Sequence, residues 1–366
     1  MTTSPEPTTR NRRRSRAPRW LALIALAIFV VIPATGPSGF TYRTLTTMFL
    51  LIVTAQGWNL IGGYTGYAAF GNVAFFGLGA YTTAILMFRF DWPFLLTLPL
   101  GGLIAALYAA LVGLPVLRLR GHYFAIATLG VAEATREIVA WWTPVTYGAT
   151  GISLPFLKPI DFAQNFFYYI TLGMVLFGLA LTWFLTRRKI GYAWAAIRAD
   201  EDGAKMLGVN TTASKVTAFA LAAFLTGLAG STYAYYNSFI APEEVFKIDR
   251  TLQAILASVL GGAGTLAGPV VGAMIFQLVN AFLIFGKPFG IDLGQFHVTI
   301  LGVFIVLVIV FTPRGLIDLV IRAAREAQRD KAIEGAGMLQ RLGAFIAGGG
   351  RATRTILAQN VRQFRI

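Results

Sequence analysis

The sequence predicts an all-α, polytopic integral membrane protein of about 8–10 transmembrane segments, one pair of them a glycine-broken hairpin. Three observations carry this. Hydrophobic residues make up 56% of the 366 and charged residues 13%, with a mean hydropathy of +0.65; soluble domains carry about 25% charged residues. The apolar residues fall in blocks long enough to span a bilayer. The basic residues, which bring the net charge to +15, are gathered in a few segments between those blocks.

In order, the blocks are Trp20–Pro33, Thr44–Ile61, Ala68–Phe88, Phe94–Leu117, His122–Trp142, Phe162–Thr186 and Val216–Tyr236. A block from Thr251 to Phe285 follows, interrupted by Gly261–Pro269, and then Phe296–Phe311. With the amino terminus inside and sides alternating, the inner segments hold 24 Lys and Arg and the outer loops 6, with Arg136 inside a span. This asymmetry puts both termini on the cytoplasmic side. The Thr251–Phe285 block must then start and finish outside, as a hairpin or re-entrant loop turning at its glycines.

The expected organisation is a basic cytoplasmic segment (1–19), a transmembrane domain (20–312) containing a cytoplasmic loop (187–215), and a basic cytoplasmic tail (313–366). The Arg-rich start before a short apolar block resembles a signal peptide, but no Ala-x-Ala stands near Ala34, so an uncleaved first span is expected.

The same residues exclude several classes of function. With no Cys and only His122 and His297, far apart, neither a disulfide framework nor a metal or haem centre is expected. No P-loop motif occurs, so any ATP that drives the protein is bound by another chain. The basic clusters lack interleaved aromatics and read as lipid-facing charge rather than a nucleic-acid surface. No nucleophile and base are grouped, so the chain is not expected to be an enzyme.

Four constellations remain. Gly62 to Tyr81 is rich in glycine yet apolar, and contains Gly63, Tyr64, Gly66, Gly71, Asn72 and Tyr81. Broken backbone at membrane depth persists where protein or a water-filled cavity satisfies its amides, and transporters place substrate there; close helix packing is the alternative. The second break, with Gly261, Gly262 and Gly264, reads the same two ways, with Gly264, Gly268 and Gly272 forming a small-residue ridge. Glu133, Arg136 and Glu137 share one helix face, as a wall of the solute path or as an ion pair locking helix packing. Finally, the 187–215 loop holds Arg198, Asp200, Glu201, Asp202, Gly203, Ala204 and Gly208, with Ile197, Met206 and Leu207 expected as an apolar stripe on one short helix.

Over roughly Leu45 to Gly315 the chain resembles the LivM-type permease subunits of branched-chain amino-acid ABC importers. The ordered landmarks are Gly63-Tyr64-Thr65-Gly66 through Gly77-Leu78-Gly79-Ala80-Tyr81, then Leu119 to Gly130, Thr146 to Ile152, Leu260 to Pro269 and Pro313-Arg314-Gly315-Leu316. The 187–215 loop also resembles the Glu-Ala-Ala, three residues, Gly motif by which ABC permeases dock on their ATPases; Asp202-Gly203-Ala204 and Gly208 hold that spacing, with Asp202 and Gly203 departing from its consensus. Other departures are Tyr67 and Ala69 where the family carries Gln and Ser, Asn72 where His is common, and His122 where an acid is common.

The resemblance implies an importer subunit of a bacterial inner membrane. Its partners would be a sister permease, two cytoplasmic ATPases that bind ATP and Mg, and an extracytoplasmic solute-binding protein. Branched-chain amino acids are the implied solutes; urea, short amides and other amino acids are alternatives, as is a passive channel or ion-coupled carrier working without ATPases.

Overall fold

The computed structural model describes residues 27–285 and 302–303, and these are helical almost throughout. After a short helical piece at 27–31, α1 runs Gly39–Trp58, its first turn capped by Ser38, whose hydroxyl accepts from Thr41 N. A π-helical turn, Asn59–Tyr64, continues it. After an unwound stretch come α2 (Asn72–Phe90), α3 (Phe94–Val116) and α4 (His122–Trp141). Helices α5 (Ile160–Thr186), α6 (Lys189–Ala199), α7 (Glu201–Met206) and α8 (Thr211–Asn237) follow. The chain goes on through α9 (Ile248–Gly261) and α10 (Gly268–Phe285). A minimal antiparallel ribbon joins the loops at one end of the bundle: β1 (Ile152–Ser153) pairs with β2 (Phe239–Ile240) in the register Ile152↔Ile240.

Five of these helices are long and apolar enough to cross a membrane: Gly39–Tyr64, Asn72–Phe90, Phe94–Val116, Ile160–Thr186 and Thr211–Asn237. They match five of the expected blocks to within a few residues. The His122–Trp142 block also forms a continuous helix, α4, whose apolar run is interrupted by three charged residues. Half of the first block, almost all of the last and the whole basic tail lie outside the described residues.

The chain divides into two units, one ending at Ala254 and the other beginning at Ile255. The first is organised around α8, whose small residues admit α2 and α3 to backbone contact. A Cβ on Gly79 would collide with Gly227 O, one on Gly230 with Phe76 O, and one on Gly101 with the Ser231 hydroxyl. Close approach through small residues replaces the hydrophobic driving force that lipid removes. Helices α1 and α5 pair through larger groups: the Tyr42 hydroxyl donates to Asn165 Oδ1 (2.7 Å), and Phe49 meets Tyr168 edge to face.

In the second unit the expected hairpin is present, and its glycines pack against one another. Gly261 lies against the backbone of Gly268 and Gly272, and Gly272 against Ala257 O. Gly262 (φ +121°) and Gly264 (φ +81°) make the turn. Gly264 therefore does not continue the Gly268–Gly272 ridge; Gly261, from the opposite arm, completes the contact.

Candidate functional site

The unwound stretch Thr65–Gly71 frees backbone groups between two membrane helices, and side chains from several elements satisfy them. Trp58 Nε1 donates to Ala69 O (2.8 Å), Thr128 Oγ1 of α4 accepts from Phe70 N (3.0 Å), and Thr251 Oγ1 accepts from Val73 N (2.9 Å). Arg198 Nη1, from α6, donates to Gly63 O at 2.5 Å. Gly66 turns the chain at φ +81°, with the Arg198 stem against it. Gly71 lets α4 approach so closely that a Cβ would collide with Thr128 O. Tyr64 lies beside Trp194 of α6, ring centroids 6.5 Å apart. The break and close packing thus coexist in one segment.

Asn72 opens α2 and is 2% exposed, yet neither its amide nitrogen nor its oxygen has a partner among the described residues. It lines a cavity of about 10 Å³, room for one water, together with Thr54, Phe76, Thr226, Arg250 and Thr251. Arg250, which the charge pattern assigns to an outer loop, lies with its guanidinium 4.9 Å from the Phe76 ring centre and 4.0 Å from that of Tyr233. Nothing in the sequence announces this, because both rings belong to distant helices. Tyr81, 2% exposed, stacks on Phe246.

The 187–215 loop folds as two helices, α6 and α7, rather than one. Asp200 makes the corner in extended conformation, and its carboxylate caps α7 by accepting from Asp202 N (3.0 Å). Trp194 is fully buried, and its Nε1 donates to Ser214 O (2.9 Å). Ile197 is buried with it, whereas Met206 and Leu207 are 90% and 84% exposed. The expected single stripe is therefore split: Ile197 anchors the loop, and Met206 and Leu207 project from it. Gly203 and Ala204 lie within α7, and Gly208 (φ +82°) ends it with open space around its Cα.

Glu201 turns inward. Its carboxylate accepts from the Tyr67 hydroxyl and from Lys215 Nζ (2.9 Å). The same ammonium also donates to Tyr67 Oη (3.0 Å) and Leu117 O (2.8 Å). Burial alone would raise the Glu201 pKa; the hydrogen bonds from Tyr67 and Lys215, with the charges of Lys215 and Arg120, outweigh it and hold the group at about 2. Asp202 points outward to Arg120, with oxygen–nitrogen distances of 2.7 and 2.8 Å, and that hydrogen-bonded pairing lowers its pKa.

Arg136 pairs with both Glu133 and Glu137, as their spacing implies. The triad does not face the interior of this chain, however. The Glu133 and Glu137 side chains are 49% and 64% exposed, because α4 buries only the stripe Phe124, Thr128, Ala132, Thr135 and Val139. A buried lock within the chain is thus excluded for these residues.

Together, the apolar helices and the glycine-broken backbone between them define a polytopic membrane protein, and the comparisons with known proteins place it among permeases. Residues 40–312 match the family described as branched-chain amino acid transport system / permease component. The chain is 31% identical to the high-affinity branched-chain amino acid transport system permease protein LivM of Salmonella typhimurium (strain LT2), over 82% of this chain and 75% of that protein. LivM of Escherichia coli (strain K12) gives the same values. The autoinducer 2 import system permease protein LsrC of Escherichia coli O9:H4 is 28% identical over 43% of this chain and 47% of its own length. No solved structure matches. The chain belongs to the branched-chain amino acid transport system permease family.

Proposed function

We propose that the chain is the permease subunit of an ATP-driven importer carrying branched-chain amino acids into a bacterial cytoplasm. It would work with a sister permease, two ATPases that bind ATP and Mg, and an extracytoplasmic solute-binding protein. Both termini and the α6–α7 loop are cytoplasmic in this reading, in keeping with the distribution of basic residues.

The observation that carries it is the loop itself. A helix rooted by buried Trp194 and Ile197 ends in an α7 that exposes Met206 and Leu207 almost completely. A pair of apolar side chains held outward on an ordered helix suits a groove on a soluble partner. In the cycle, ATPase closure displaces this loop and shifts the membrane helices between inward- and outward-open states. The shift is driven by the ATPases' different affinities for the two states. The relation to LsrC makes the solute the finer part of the proposal.

The test is co-purification after gentle solubilisation, with the ATPases co-expressed. The unsubstituted chain should retain them, and Met206→Asp with Leu207→Asp should release them while membrane insertion is unchanged. Equal retention by both chains would contradict docking at this loop.

A further inference from the structure

The loop and the glycine break lie more than 130 residues apart in sequence, yet side chains fasten one to the other. Arg198 of α6 holds Gly63 O, and its stem fills the space beside Gly66. Tyr67, inside the break, donates to Glu201 of α7. Lys215, in the first turns of α8, joins Glu201, Tyr67 and Leu117 O and so spends all three of its hydrogens. The Lys215 and Glu201 side chains are 4% and 10% exposed.

A buried ion pair is a poor source of stability compared with apolar packing of the same volume. What this one provides is geometry: Tyr67, Glu201 and Lys215, from three segments, each bond the other two, and Arg198 ties the loop separately to Gly63 O. It also divides α7 by function. Its inner face is occupied by Glu201, and its outer end presents Met206 and Leu207 to a partner.

We propose that Arg198, Glu201, Lys215 and Tyr67 are positioning residues forming a strut that makes the α6–α7 loop and the Gly63–Tyr67 break one rigid unit. A displacement of the loop then moves the break with it, instead of being absorbed by the loop's own flexibility. The inference rests on the reading that ATPases act on this loop.

The test uses the assembled complex in vesicles and reads solute uptake per ATP hydrolysed. Tyr67→Phe removes one hydroxyl and keeps the ring that lies 4.5 Å from the Lys215 ammonium, so the fold is disturbed little. Tyr67→Phe and Glu201→Gln should each lower uptake per ATP by about fivefold or more, with basal hydrolysis retained in Tyr67→Phe, which lies outside the loop. A Cβ built on Gly66 lies 3.9 Å from Arg198 Cβ, within the roughly 3.5–4.5 Å of a disulfide, and the chain has no other cysteine. Gly66→Cys with Arg198→Cys should therefore lose coupling when reduced and regain it when oxidised.

A rigid unit tolerates that cross-link, whereas parts that slide past each other do not. Uptake stopped by oxidation and restored by reductant would overturn the strut, as would wild-type uptake per ATP in both single variants. In the subunit alone, without ATPases, the cysteine pair should oxidise readily, and adding Glu201→Gln should slow it; an unchanged rate would also count against the strut. If the unsubstituted complex shows no solute-stimulated hydrolysis, the importer reading fails instead, and the oxidation rates still decide the strut.

Discussion

Lys215 carries its charge into a site where its side chain is 4% exposed, and it is tolerated there because Glu201, Tyr67 and Leu117 O take its three hydrogens. Removing the ammonium takes from the enclosed Glu201 carboxylate its nearest cation, the more exposed Lys205 and Arg120 lying farther off at 3.4 and 3.8 Å. Lys215→Met should therefore lower unfolding stability in detergent by about 3 kcal/mol, read from denaturant or thermal melts. The pH dependence has a definite sign. The Glu201 pKa falls from 4.5 to about 2 in the fold. The group's contribution is thus fully present above about pH 4.5 and is lost as pH falls towards 2. Stability of the wild type should drop across that window, and that of Glu201→Gln should drop less. In the sequence Lys215 is one of six basic residues of a loop, and charge counting uses it only for orientation. Its partners lie 14, 98 and 148 residues away, so no local spacing reveals the pair.

Among the elements, helix packing separates glycines that are needed from glycines that are incidental. Gly79 faces Gly227 O at backbone contact, while Gly130 on the open face of α4 has nothing within 4 Å of an added Cβ. Gly79→Ala should destabilise the bundle by about 1–3 kcal/mol through overpacking. Gly130→Ala should be neutral or raise stability by roughly 0.5–1 kcal/mol through helix propensity. Thermal unfolding of the two variants checks the contrast, and equal effects would contradict this packing. The two glycine breaks were legible because runs such as Gly261–Gly264 cannot continue a helix cheaply. Which of their glycines turn and which pack was not legible: Gly264 and Gly268 have the same spacing as Gly268 and Gly272, yet only the later two lie on a helix. The Ile197–Met206–Leu207 stripe failed because periodicity assumes one continuous helix, and the extended Asp200 breaks it. The acidic pair around Arg136 was placed on one face correctly, but spacing along a helix does not say what that face meets.

Across the whole molecule, composition and block length were enough for the all-α membrane class, since so few charges cannot cover a soluble protein of this size. The resemblance seen over Leu45–Gly315 coincides with the family match at 40–312. The hairpin followed from charge parity alone, because both neighbouring segments had to lie on the same side. Arg250 shows the limit of that arithmetic: it counts towards a loop while stacking on Phe76 and Tyr233 beside Asn72. In the proposed mechanism a loop that receives force from the ATPases is joined to a broken helix that passes it on, in the service of solute import. Uptake of labelled leucine into vesicles holding the full complex tests this most directly, with ATP on the loop side and the loaded binding protein on the other. Leucine should accumulate only with both present, and should fail to accumulate with the Met206→Asp, Leu207→Asp chain. Leucine entering at the same rate without ATP, or without any ATPase subunit, would contradict the account.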